Sequence, residues 1–310
     1  MQEGSPVTLN PGAGNMSYNH TWNPAYFKNM NPTMKEPITS LQNPLVKKII
    51  KLQQKSAERA RSGLFVAEGR REVSLALSQG VEPEHLLFCE GIFENDDAYP
   101  VALKEDGKHP MVPVSRLVYN KLAYRKDAEG VMLVGKQRLP GLSQLHLPET
   151  PLILVLEGLE KPGNLGAVLR TADAAGVDAL ILAGSKVDVY NPNTIRASMG
   201  CVFTVPVVAC SSDEAIGWIS DPGNWEKGKE PHVFSAALQT KVNHFEVDMT
   251  GPSILAFGAE DKGLSAAWRD IACQTIRIPM SGTIDSLNVS ASVAILTFEA
   301  IRQRYRASDR

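Results

Sequence analysis

Leu152-Ile153-Leu154-Val155-Leu156, then Pro162-Gly163-Asn164-Leu165-Gly166-Ala167-Val168-Leu169-Arg170-Thr171, set an unbroken apolar run before a glycine-bearing turn and an amphipathic helix. A strand apolar at every position has both faces covered, as in a parallel sheet; one wet face would make it alternate. The helix places Leu165, Val168, Leu169, Ala172 and Ala175 on one side and stops at Gly176. Apolar runs recur at Ala179 to Leu182, Val202 to Val208, Val233 to Ala237, Ile254 to Phe257 and Thr275 to Ile278, with helical segments between them. The fold class is α/β, a mostly parallel, doubly wound sheet with helices on both faces. Ligands of such sheets gather at the carboxyl ends of the strands.

Two further polar segments stand at strand ends. Gly258-Ala259-Glu260-Asp261-Lys262-Gly263-Leu264 follows one strand. Ile278-Pro279-Met280-Ser281-Gly282-Thr283-Ile284-Asp285-Ser286-Leu287-Asn288-Val289-Ser290 leads into a final helix whose core face is Val289, Val293, Leu296 and Ala300. Asn164, Ser286 and Asn288 all suit helix caps as well as a site. Glu260 suits loop amides, an arginine or a ribose hydroxyl equally. Arg170, among small apolar neighbours, asks for an anionic partner. Neither G-x-G-x-x-G nor a P-loop ending in Gly-Lys-Ser/Thr is present, which sets aside dinucleotide and phosphate-cradle readings. No serine has a nearby His-plus-acid pattern, so a hydrolase triad has little support.

Residues 1–36 are rich in Asn, Pro, Gly, Ser and Met without periodicity and read as a flexible tail. Residues 37–139 alternate short helices and strands, a small α/β domain; 140–151 form a proline-bounded linker, and 152–310 the second domain. The chain has 310 residues, 43% hydrophobic and 21% charged, with net charge −2, which argues against a wholesale polyanion binder. Between Leu41 and Arg71, however, eight basic residues (Lys47, Lys48, Lys51, Lys55, Arg59, Arg61, Arg70, Arg71) face two acidic ones (Glu58, Glu68). Arg302, Arg304, Arg306 and Arg310 add to them at the C-terminus. Such a stripe fits a phosphate-bearing partner at one face, or a solvated helix surface. No apolar run reaches the roughly 20 residues of a membrane span, and no signal peptide opens the chain, so the expected location is the cytoplasm. Cys89, Cys201, Cys210 and Cys273 form no C-x-x-C pair and the histidines are scattered, so neither disulfides nor a metal are expected.

Taken in order, the three polar segments resemble the motifs of the SpoU (TrmH-like) RNA ribose 2'-O-methyltransferases of the SPOUT superfamily. The likeness runs from about Ile38 to Arg310 and includes Ile195-Arg196-Ala197-Ser198-Met199-Gly200. It implies S-adenosylmethionine (SAM) as cofactor, a trefoil-knotted C-terminal domain, a homodimer, and an N-terminal ribosomal-protein-like RNA-binding domain. By position it assigns Asn164, Arg170, Glu260, Ser286 and Asn288 to catalysis and substrate binding. Ala236, Gly258, Ile278, Met280 and Leu287 fall to the cofactor, and the basic stripe to RNA. Structured ribosomal RNA is the expected substrate, with transfer RNA second. A non-catalytic RNA-binding or ribosome-assembly factor of the same fold, and a base methyltransferase of the same superfamily, are the competing readings.

Overall fold

Asn43 and Pro44 open the first helix, the Asn43 side chain accepting from the Leu45 amide at 2.8 Å. In this computed structural model the described residues are 36–89, 92, 111–124, 129–259, 261–284 and 286–308. The tail to residue 35, the acidic segment Glu94 to Asp97, Glu260 and Arg310 lie outside them.

The first unit comprises α1 (Pro44–Gln54), α2 (Ser56–Ser62), β1 (Leu64–Glu68), α3 (Arg70–Ser78), β2 (Pro83–Phe88), β3 (Met111–Pro113), α4 (Arg116–Leu122) and β4 (Val131–Lys136). Its sheet runs β1-β4-β2-β3, antiparallel except for the β2/β3 pair. In α1 the buried stripe is Val46, Ile49 and Leu52, with Leu45 only half-buried. Leu64 and Val66 of β1 pack with that stripe, whereas Phe65 and Ala67 point the other way.

The second unit follows with β5 (Leu152–Glu157), α5 (Pro162–Ala175), β6 (Ala179–Ala183), α6 (Pro192–Ala197), β7 (Val207–Cys210), α7 (Ser212–Ser220), β8 (His232–Ala236), β9 (Ser253–Phe257), α8 (Ala266–Asp270), β10 (Gln274–Ile276) and α9 (Val289–Ser308). All six strands are parallel, in the order β10-β8-β9-β5-β6-β7. Both faces are filled, as the continuous apolar runs require: Leu152, Leu154 and Leu156 of β5 join one core, Ile153 and Val155 the other. Among the described residues no helix is long and apolar enough to cross a membrane.

Several sequence expectations are corrected here. The segment Val202 to Val205 is not strand but a series of tight turns, with Phe203 bonding back to Gly200 and Val205 to Cys201; the strand starts at Val207. Its valines are buried in the core that the two units share, a burial that an apolar run cannot distinguish from a strand's. Within the segment 140–151, Leu142, Leu145 and Leu147 pack, half-buried, against the second unit's core. Arg304 is no phosphate ligand: its guanidinium donates to the carbonyls of Met249, Thr150, Pro151 and Gly251. All four cysteines are free, with Cys89 and Cys201 buried and Cys273 exposed.

The two units share one core. Phe65 stacks on Tyr190 with centroids 4.8 Å apart, and Phe203 tilts against Phe65 at 5.4 Å. Gly200, at φ 85, takes a conformation that a side chain resists, and a Cβ there would lie 2.9 Å from Leu75 of α3. Beside this contact Arg59 is only 2% exposed, paired with Asp188 at 2.6 Å and donating to the Leu52 carbonyl. Arg59 is therefore a strut between the units rather than part of an RNA-facing stripe. A charge so buried, once its partner is removed, costs about 3–5 kcal/mol. Asp188→Ala is expected to lower the free energy of unfolding by that order in urea titration, with Arg59→Met/Asp188→Ala recovering part of the loss. Additive losses in the double variant would show that the pair does not act as one.

Candidate active site

Helix α5 starts at Pro162 with Lys161 at its cap, so Asn164 lies within the first turn and is not the cap that the sequence suggested. Its side-chain oxygen instead accepts from Asn288 Nδ2 at 3.2 Å, 124 residues further on. Asn288 has a second task. Its Oδ1 takes the Ser290 amide at 2.9 Å and the Ser290 hydroxyl at 2.7 Å, closing the N-terminus of α9. Capping and site-building are thus one arrangement in Asn288, whose cap holds the amide toward Asn164.

Beside this pair a cavity of about 400 Å³ opens at the carboxyl ends of β8, β9 and β10. All five residues assigned to a cofactor line it: Ala236, Gly258, Ile278, Met280 and Leu287. Ser286 lines it too. Its volume lies within the range of about 300–1,000 Å³ typical of small-molecule sites. Gly258 belongs to the wall for a steric reason. A Cβ on it would fall 1.9 Å from the Gly263 carbonyl carbon and 2.1 Å from the Leu264 nitrogen, so main chain meets main chain with no room between. The Gly263 amide donates back to the Ala259 carbonyl at 2.8 Å and closes this turn. The main chain of Gly258 and Gly263 beside apolar Ile278, Leu287 and Leu296 suits a flat heteroaromatic ring with polar edge atoms. SAM, with its adenine, fits that lining. Among the described residues no group of three His, Cys, Asp or Glu is placed to hold a metal.

Arg170 is not brought to this cavity. It is exposed on the face of α5 opposite the buried Leu165, Val168 and Leu169. Among the described residues no carboxylate pairs with it, so the anionic partner expected from sequence is not found there. Glu260 lies outside the described residues; its neighbours Ala259 and Asp261 line the cavity. In the basic stripe Lys47, Lys51, Lys55, Arg61 and Arg71 are exposed, and Arg61 pairs with Glu58 at 2.5 Å. Lys48 approaches Glu84 at 4.0 Å, and Arg70 turns its Nε to the Glu129 carbonyl. Sequence reasoning missed Lys262, Arg269 and Arg277 on the cavity wall. Lys262 stood inside a quoted motif, but Arg269, bonded to the Leu264 carbonyl at 2.6 Å, carried no signal.

The profile of the SpoU rRNA methylase family matches residues 151–298, and that of the MRM3-like substrate-binding domain residues 43–133. A 23S rRNA (uridine(2479)-2'-O)-methyltransferase of Streptomyces viridochromogenes is 30% identical over 249 residues, covering 80% of this chain and 85% of that protein. The crystal structure of an RNA 2'-O ribose methyltransferase superposes with a TM-score of 0.73 at 37% identity, over 87% of this chain and all 100% of the other. An AdoMet-bound rRNA methyltransferase from Sinorhizobium meliloti gives 0.75 at 31% identity, covering 86% of this chain and 97% of that one.

Proposed function

The chain belongs to the SpoU rRNA methylase family, and from that premise we propose that it methylates a ribose 2'-oxygen of 23S ribosomal RNA in the cytoplasm. The observation that carries the reading is the meeting of Asn164 and Asn288 beside a cavity at the strand ends that Gly258 and Gly263 help to line. SAM, when bound, supplies a methyl group on a sulfonium sulfur and leaves as S-adenosylhomocysteine. Gly258, Ile278 and Leu287 hold its adenosine portion, with Ala236 and Met280 lining the same pocket. A ribose hydroxyl is a poor nucleophile until its proton is lost or strongly polarised. Ser286, Asn164 and Asn288 orient that hydroxyl, and Glu260 secures Asn164 or Arg170. The exposed lysines of α1, with Arg61 and Arg71, give residues 37–139 their grip on RNA phosphates.

Arg170 enters through a second copy of the chain. Helix α9 shows Ile295, Phe298 and Tyr305 at 38, 47 and 70% exposure, spaced along one side, and it packs on α5, which carries Arg170. A homodimer covering that apolar side sets Arg170 beside the partner's cavity. The trefoil knot belongs to the same proposal, supported by an order in which β8, β9 and β10 lie across β5 from β6 and β7.

The test is incubation with methyl-labelled SAM and 23S rRNA transcripts, then alkaline hydrolysis. A 2'-O-methyl group leaves an uncleaved, labelled dinucleotide; label in mononucleotides would assign the methyl to a base. Absence of transfer despite tight RNA binding would replace the enzyme by a binding factor.

A further inference from the structure

We propose that Tyr124 and Arg196 form a stacking platform for one unpaired base of the substrate RNA, with Arg71 and Arg170 holding the phosphates beside it. The inference rests on the RNA-directed reading above. It starts from an aromatic ring in an unusual place. Tyr124 follows α4 in the first unit and is 59% exposed, yet its backbone is fixed, because its amide donates to Glu68 Oε2 at 2.7 Å. Against the ring stands Arg196 of α6, from the second unit, its guanidinium carbon 5.3 Å from the ring centroid.

The surroundings are cationic and continuous with the catalytic helix. Ala197, next to Arg196, presses so closely on α5 that a Cβ at Gly166 would lie 2.4 Å from its own. One helical turn beyond Gly166, on the same side of α5, comes Arg170. Arg71 of α3 adjoins Glu72, whose Cα would lie 3.2 Å from a Cβ at Gly200, four residues after Arg196, so α3 brings a further arginine to the same junction. Burial and the nearby Asp173 push the Cys201 thiol up to about 11. Arg71, Arg170 and Arg196 are all exposed, and among the described residues none is paired with a carboxylate. Asp173 is engaged by the Thr204 hydroxyl at 2.5 Å.

A plain junction contact is the competing explanation. The junction, however, is already held by the Arg59–Asp188 pair and the Phe65, Tyr190 and Phe203 rings, and an exposed cation–π contact adds little to it. Unpaired bases, by contrast, are taken up by stacking on aromatic rings and guanidinium planes with cations alongside for the backbone. The platform joins the two units, so it fixes how RNA held by the first is presented to the second.

The test uses the full chain and two assays. Binding of a fluorescein-labelled RNA single strand of roughly a dozen nucleotides is compared with that of a perfectly paired duplex of equal length. Methyl transfer to 23S rRNA transcripts supplies KM and kcat. Tyr124→Ala is expected to weaken single-strand binding by about tenfold and to raise KM for the transcript similarly, with kcat, duplex binding and SAM affinity near wild type. Tyr124→Phe, which keeps the stacking ring, is expected to restore both. Equal losses for strand and duplex, or no loss in either, overturn the platform. Strand binding that depends on Tyr124 in a protein that methylates no RNA would keep the platform and overturn the enzymatic reading. Transfer indifferent to Tyr124→Ala would do the reverse.

Discussion

Arg170→Ala is expected to reduce kcat for ribose methylation by on the order of 10²–10³-fold while SAM affinity stays within about twofold of wild type. The separation follows from position. Arg170 is exposed on α5 and forms no part of the cavity wall, so its loss leaves cofactor contacts in place. The size of the effect follows from charge. A guanidinium keeps its proton in proteins, so an arginine here is a fixed cation and fork rather than a base. Its service is to hold the phosphate next to the reacting ribose and to stabilise negative charge developing on the 2'-oxygen, where a preorganised donor acts most strongly. Arg170→Lys keeps the charge and loses the fork, so it is expected to recover only part of the rate. Near-full activity in the lysine variant would rule out fork-shaped recognition. Mixing Arg170→Ala with Asn288→Ala subunits tests the shared site. One intact site per mixed dimer should restore activity that neither variant has alone, and failure to restore it would place Arg170 in its own subunit's site.

How much of this could be read from the chain depended on whether a residue's role is local. Strands β5, β6 and β9 were legible because a run apolar at every position satisfies few arrangements other than a sheet covered on both sides. Val202 to Val205 looked the same and was not strand, since its burial lies in the core that the two units share, where Phe203 meets Phe65. Periodicity reports burial, not its cause. Arg59 and Arg304 were grouped with phosphate ligands for their charge alone. Only the fold shows Arg59 enclosed with Asp188 and Arg304 bound to four carbonyls.

The residues that line the cavity were reached by a different route. The family resemblance assigned five residues to a cofactor by position, Gly258, Ile278, Met280 and Leu287 within the motifs and Ala236 outside them, and all five line the cavity. Composition and spacing would have left Asn288 a helix cap, which it is; the bond to Asn164 that makes it more crosses 124 positions and has no local trace. Tyr124 had no trace either, as its neighbour Arg196 belongs to another unit. Contacts made where units meet are invisible to any window along the chain.

Gly258→Ala is expected to weaken SAM binding by at least about 100-fold and to lower stability by about 1–3 kcal/mol, the usual cost of overpacking. Gly258 follows the last residue of β9, where the chain turns into the cavity wall. The added methyl would meet the Gly263 carbonyl carbon at 1.9 Å and its oxygen at 2.2 Å, and no rotamer change relieves a clash with backbone. Gly263 and Leu264 must therefore move away, opening the bond from the Gly263 amide to the Ala259 carbonyl. The loss falls mainly on binding, because the atoms displaced are those that line the cofactor cavity. Gly251→Ala is the matched control: it lies beyond the cavity, and a Cβ there meets nothing within 4 Å. Calorimetric titration with SAM and thermal unfolding of the two variants separate the effects. A Gly258→Ala protein that binds SAM like the Gly251→Ala control would show that the cofactor does not lie against this turn, and the cavity would need another ligand.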